Sequence, residues 1–161
     1  MANDTDAGWP LEKMAEFERT IGSLYAAFAD GLPEHREFWE ALSAEEEQHA
    51  SWIEGFSDLG EAGVAKISAF TLSMREIDEG IDFVKKELGK AMQQSFGNDR
   101  ALDVALLVER SILERKYYSV VRDPTDAVAK LLASLEDGTR EHLLRLEAAR
   151  EGRRPSASDA R

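Results

Sequence analysis

The spacing of apolar residues is the feature that most constrains the fold of this chain. Large apolar residues recur at alternating steps of three and four along the sequence, and no convincing stretch alternates with a period of two. The first spacing places side chains on one face of an α-helix, whereas a half-buried β-strand requires the second. We therefore expect an all-α protein.

Glycine, proline and capping residues divide this pattern into five helices. They predict a first helix over residues 10–29, a second that ends near residue 57, a third that opens with a capping box over 73–76, a fourth over 99–121 and a last one after Pro124. The order is hairpin, long crossover, hairpin, which is typical of a ferritin-like four-helix bundle with an extra helix in the crossover between its second and third helices. An irregular bundle of five helices around one core is the alternative.

Length and composition limit the other properties of the chain. Its 161 residues predict one bundle domain over 10–150, between a flexible N-terminus (1–9) and a disordered tail (151–161) without large apolar residues. The net charge of −12 argues against nucleic acid and acidic membranes as partners, and no apolar run approaches the roughly 20 residues of a membrane span. The absence of cysteine excludes thiolate metal sites and disulfides. A polar, acidic start unlike a signal peptide predicts a soluble, cytoplasmic protein.

The predicted second helix carries two ionisable residues on its apolar face. The stripe at helical spacing consists of Trp39, Leu42, Glu46, His49, Ile53 and Phe56. Glu46 and His49 lie three residues apart, so both side chains reach the same point beside the helix. Such a pair is either the edge of a solvated face or part of a buried site.

Three other predicted helices place an ionisable residue on their own apolar stripes, namely Glu18, Glu109 and His142. Alone, each is more typical of a boundary glutamate or a core histidine. Together with Glu46 and His49 they supply most ligands of a carboxylate-bridged two-metal site, since carboxylates bridge cations and imidazole suits iron. Buried carboxylates without a cation would have to take up protons. We predict these five residues as metal ligands.

Four segments together resemble the rubrerythrin branch of the ferritin-like superfamily. They are ERTIGSLY (18–25), LSAEEEQHASW (42–52), ALDVALLVERSILERKYY (101–118) and LEDGTREHLLRLE (135–147), and the similarity covers residues 11–149. The resemblance implies a homodimer with two non-haem iron ions per chain that reduces hydrogen peroxide. It implies that Glu46 or Glu109 bridges the irons and takes part in catalysis. Tyr25 and Tyr117 would hydrogen-bond the site or its bridging oxygen.

The chain departs from that family in two respects. Rubrerythrin proper carries a rubredoxin-like domain with iron-binding cysteines, so this chain would need an external electron donor. In addition, Thr139 stands where a glutamate should precede His142 by three residues, so one iron ion or none is the alternative to the two that the resemblance implies. Asp137, Glu141 or water would have to replace that ligand. The neighbouring Gly138 costs a helix about 1 kcal/mol relative to alanine.

Three functions remain open from the sequence. The first is a di-iron oxidoreductase that reacts with peroxide or oxygen. The second is a protein that binds iron or another divalent cation without turnover. The third is a structural bundle whose metal site has decayed, of which Thr139 would be a symptom. Metal content separates the third from the other two.

Overall fold

A computed structural model describes residues 9–57, 74–93, 96–114 and 126–152, and these residues are almost entirely helical. The helices are α1 (Trp9–Gly31), α2 (Arg36–Ser57), α3 (Met74–Gln93), α4 (Asn98–Glu114) and α5 (Asp126–Glu151), with a 3-10 turn at Pro33–His35. No β-strand occurs in the described ranges. The expectation of an all-α protein is confirmed.

Some sequence-based predictions lie outside the described residues. These are Tyr117, the Asp123–Pro124 helix signal, the first residue of the capping box (Ser73), the Phe56 side chain, and nearly all of the N-terminal and C-terminal segments. The predicted helix boundaries agree with the structure to within a few residues wherever both can be compared.

Helices α1 and α2 form an antiparallel hairpin. Ser43 Oγ donates a 2.8 Å hydrogen bond to the carbonyl oxygen of Gly22, and the ring of Tyr25 packs 5.6 Å from that of Trp39. Residue numbers therefore rise along α1 as they fall along α2. The 3-10 turn that joins the helices begins with Pro33, whose fixed φ suits that position.

Ion pairs between helices give the directions of the remaining three helices. Helix α3 runs parallel to α1, because Lys13 contacts Asp78 at 3.0 Å and Glu16 contacts Lys85 at 3.1 Å. Helix α5 runs antiparallel to α4, because Arg110 contacts Glu147 and Asp103 contacts Arg150.

The buried face of each helix follows the predicted stripe in most positions. Members of these stripes that are buried include Met14, Ile21, Tyr25 and Phe28 on α1, Trp39, Leu42 and Ile53 on α2, Ile77, Ile81 and Val84 on α3, Leu102, Ala105 and Ile112 on α4, and Val128, Leu132, Leu135 and Leu146 on α5. Helical spacing also places Met92 on the predicted stripe of the third helix, which is an error, because its side chain is 74% exposed near the end of α3. No helix in the described ranges combines the length and apolar character of a membrane span.

The start of α4 is fixed to the hairpin by one buried hydrogen bond. Trp39 Nε1 donates to the side-chain oxygen of Asn98 at 3.0 Å, and both residues are buried. Asn98 directly precedes the predicted fourth helix, so the sequence indicates a capping residue. It does not reveal that the partner of this side chain, Trp39, lies 59 residues away. This bond sets the register of α4 against α2.

We expect Asn98→Ala to lower the free energy of unfolding by about 1–3 kcal/mol, because the buried indole N–H would lose its acceptor. Urea denaturation measures this change. The exposed neighbour in Asp99→Ala is the control and should change stability by less than about 0.5 kcal/mol. In a Trp39→Phe background the cost of Asn98→Ala should fall markedly. An equal cost in both backgrounds would show that the indole bond is not its source.

Candidate metal centre

Four helices bring five ionisable side chains together in the interior. Glu18 comes from α1, Glu46 and His49 from α2, Glu109 from α4 and His142 from α5, and each is at most 5% exposed. Each residue occupies an apolar stripe, so the burial of its neighbours carries it inward. These are the five residues that the sequence predicts as ligands.

The five side chains form two groups that share Glu46. The outer cluster contains Glu18, Glu46 and His49, and the inner cluster contains Glu46, Glu109 and His142. In each cluster one potential ligand atom per residue lies within 4.8 Å of the others. Glu46 is thus shared by two groups of side chains, each of which could hold a metal ion.

The inner cluster leaves buried polar atoms directed at one another without hydrogen bonds. His142 Nδ1 lies 2.8 Å from Glu46 Oε1 and 3.4 Å from Glu109 Oε1. Among the described residues, neither His142 Nδ1 nor Glu109 Oε2 has a hydrogen-bond partner of acceptable geometry, although both are buried. Unsatisfied buried polar atoms are costly, and a cation among them would satisfy both. The donor set therefore fits a divalent metal ion.

In the outer cluster, the imidazole of His49 faces two carboxylates. Its Nδ1 lies 3.2 Å from Glu46 Oε2 and 3.6 Å from Glu18 Oε2. The ring packs between His142, at a centroid distance of 5.4 Å, and Trp52, at 5.5 Å. Trp52 is 42% exposed, so this cluster lies closer to the surface than the inner one.

A fourth glutamate, missed by sequence reasoning, supports the inner cluster. The stripe predicts that Glu45 points away from the site, yet its Oε2 lies 2.8 Å from His142 Nε2. Arg145 holds the same carboxylate through two hydrogen bonds. A carboxylate that accepts from one imidazole nitrogen leaves the other nitrogen free to bind metal and fixes the ring orientation. Glu45 therefore directs Nδ1 of His142 toward Glu46 and Glu109.

Tyr25 adds a hydrogen bond to a predicted ligand. Its hydroxyl donates to Glu109 Oε1 at 2.6 Å, and its side chain is fully buried. Burial, followed by the nearby charges of Glu109 and Glu46, raises the pKa of Tyr25 well above 10.0. The phenol therefore remains a donor at physiological pH. Tyr117, its predicted counterpart, is outside the described residues.

Thr139, which stands where the rubrerythrin resemblance predicts a glutamate, is buried. Asp137 and Glu141, the two side chains considered as replacements, are both exposed. Both side chains therefore face solvent on α5.

Without metal, protons balance the buried carboxylates. Burial, and then the charge of Glu46, raises the pKa of Glu18 to about 8. Burial alone would lower the histidine pKa values, but the carboxylates raise the pKa of His49 to about 9 and that of His142 to about 11. Burial would raise the pKa of Glu46, as would Glu109, yet its close contacts with His142, His49 and Glu18 lower it.

These shifts predict how the stability of the metal-free protein depends on pH. His49, His142 and Glu18 have raised pKa values in the folded state, so each stabilises the fold fully below its unfolded value of 6.5 or 4.5. That stability is lost as the pH rises through the folded values. The pKa of Glu46 is lowered instead, so its contribution to stability is lost only as the pH falls below 4.5. We expect the melting temperature with chelator to fall by on the order of 5 °C or more from pH 6 to 9.

Scanning calorimetry across that range measures the change. The His49→Gln variant removes one of the three groups and should give a shallower dependence on pH. A melting temperature that stays constant from pH 6 to 9 in the wild type would contradict these protonation states.

Comparison of the chain with protein-family models, with curated proteins and with solved structures finds no match. The interpretation of the two clusters therefore depends on their geometry and on the chemistry of their side chains.

Proposed function

We propose that this chain is a ferritin-like bundle that holds two metal ions, with iron as the functional metal. The observation that carries the proposal is the pair of buried clusters that share Glu46. Two glutamates on single helices and a Glu-x-x-His pair match three of the four elements of a di-iron carboxylate site. The rubrerythrin-like segments of the sequence agree with this donor set.

The directions of the helices support the proposed architecture. Helix α2 runs antiparallel to α1, and its Glu46 and His49 face His142 and Gly138 on α5, which makes α2 antiparallel to α5 as well. Because α4 is also antiparallel to α5, helices α2 and α4 point the same way. Two consecutive bundle helices that run parallel require a long connection, and α3 is then the crossover helix beside α1.

The proposed activity is the reduction of hydrogen peroxide or oxygen. Bound iron would supply the electrons by cycling between its ferrous and ferric states. The chain contributes the buried carboxylates, two histidines, and the phenol of Tyr25, whose hydroxyl oxygen lies 2.6 Å from Glu109 Oε1. Since ligand histidines must be neutral, binding displaces the protons that hold the site together without metal. An external electron donor, a homodimer and a cytoplasmic location stay predictions.

We expect Glu46→Ala to abolish most metal binding, because Glu46 belongs to both clusters. Glu47→Ala is the matched control, since Glu47 is the next residue on the same helix and is exposed. Elemental analysis after anaerobic loading with ferrous iron gives the iron content of each variant. Equal losses would place the iron on the acidic surface and contradict the proposed site.

Addition of hydrogen peroxide to the same anaerobic samples tests the activity. Wild type and Glu47→Ala should oxidise their bound iron rapidly, and their absorbance in the near ultraviolet should rise. Iron that is retained in the ferrous state would indicate a binding protein without turnover. Absence of bound iron in the wild type would instead favour a bundle with a structural role.

We expect Thr139→Glu to raise the iron content toward two ions per chain. The new carboxylate would stand three residues before His142 on the buried face of α5 and would supply a second bridge. In the metal-free protein it should lower stability by several kcal/mol unless it takes up a proton. Thr139→Gln is the control, because it adds similar volume without charge.

The iron content after loading measures the gain of iron. The melting temperature with and without ferrous iron measures the change in stability. A melting temperature that iron fails to restore in Thr139→Glu, together with no gain of iron, would count against the two-metal interpretation.

A further inference from the structure

Gly138 is a glycine within a long helix, where the sequence suggests only a loss of stability. It lies in α5 one residue before Thr139 and four before His142. Glycine is among the least favourable residues in a helix interior because it gives up most conformational freedom on folding. A glycine at such a position suggests that a side chain would not fit there.

The structure identifies the group that would meet such a side chain. A Cβ atom at Gly138 would lie 2.7 Å from His49 Nε2 and 2.8 Å from His49 Cε1. Both distances are well inside van der Waals contact. The edge of the imidazole therefore occupies the space that any other residue at 138 would fill.

The His49 ring has little freedom to move away from this contact. His142 stacks on it at 5.4 Å with an interplanar angle of 23°, and Trp52 packs 5.5 Å away. A rotation of the ring would also separate Nδ1 from Glu46 and Glu18, which lie 3.2 and 3.6 Å from it. Closely packed surroundings transmit such a displacement instead of absorbing it.

We propose that Gly138 is a positioning residue, which directs Nδ1 of His49 into the outer cluster by leaving room for the opposite edge of the ring. This inference deepens the proposed function, since it assumes that the outer cluster of Glu18, Glu46 and His49 binds a metal ion. The inner cluster depends less on Gly138, because Glu45 also orients His142. Gly138 therefore acts mainly on the ion of the outer cluster.

The test compares Gly138→Ala with Gly89→Ala in metal-free and iron-loaded protein. Gly89 is a helical glycine in α3 whose added Cβ would meet nothing within 4 Å, so its substitution reports helix propensity alone. We expect Gly138→Ala to lower the metal-free melting temperature, whereas Gly89→Ala leaves it unchanged or raises it. We also expect Gly138→Ala to weaken binding of the second iron ion by about 10-fold or more.

A second background separates the contact from a general effect on α5. In the His49→Ala protein the ring is gone, so Gly138→Ala should raise the melting temperature as helix propensity dictates. The inference would be overturned if Gly138→Ala lowered the melting temperature in the His49→Ala protein. It would also be overturned if Gly138→Ala and Gly89→Ala changed the melting temperature of the wild type equally. The metal-free measurements judge the His49 contact independently of iron. A wild type that binds no iron would instead overturn the proposed function, and with it the role of Gly138 in metal binding.

Discussion

The contact of Glu46 with two histidines is the interaction on which the interior of this protein depends. One carboxylate oxygen faces His142 and the other faces His49. Through these contacts a side chain of α2 links the charged groups of α1, α4 and α5. Burying one charge without a partner costs several kcal/mol, so these groups are stable in the interior only as a set. Protons or cations can complete that set, and the apolar stripes around it fix where it lies.

The two clusters are similar in composition but differ in how they are held. In the inner cluster, Glu45 and Arg145 form a chain of hydrogen bonds that ends at His142. In the outer cluster, His49 is confined by packing, with aromatic rings on its faces and Gly138 at its edge. The contact of His142 Nε2 with Glu45 defines the tautomer of that ring, whereas the Nε2 edge of His49 faces Gly138. The two clusters are therefore not equivalent.

The sequence predicts what depends on local periodicity and misses what depends on contacts between helices. Glu18 and Glu109 could be placed inside because helical spacing alone orients them. Glu45 could not, because it lies beside the stripe and its partner His142 is 97 residues away. The sequence likewise indicates only a loss of helix stability at Gly138, because its contact with His49 is a contact between helices. Met92 fails because periodicity continues toward a helix end where no neighbouring helix covers the side chain, which is 74% exposed.

The hydrogen bond from Tyr25 to Glu109 limits how that carboxylate can behave as a ligand. With Oε1 tethered to a phenol that stays protonated, rotation of the carboxylate about its Cγ–Cδ bond is hindered. In the proposed site, Glu109 would then bind a metal ion through Oε2, the oxygen that Tyr25 leaves free. A change of coordination number during loading or release would fall on the other ligands. A single phenol would thus fix how one carboxylate of the proposed site binds.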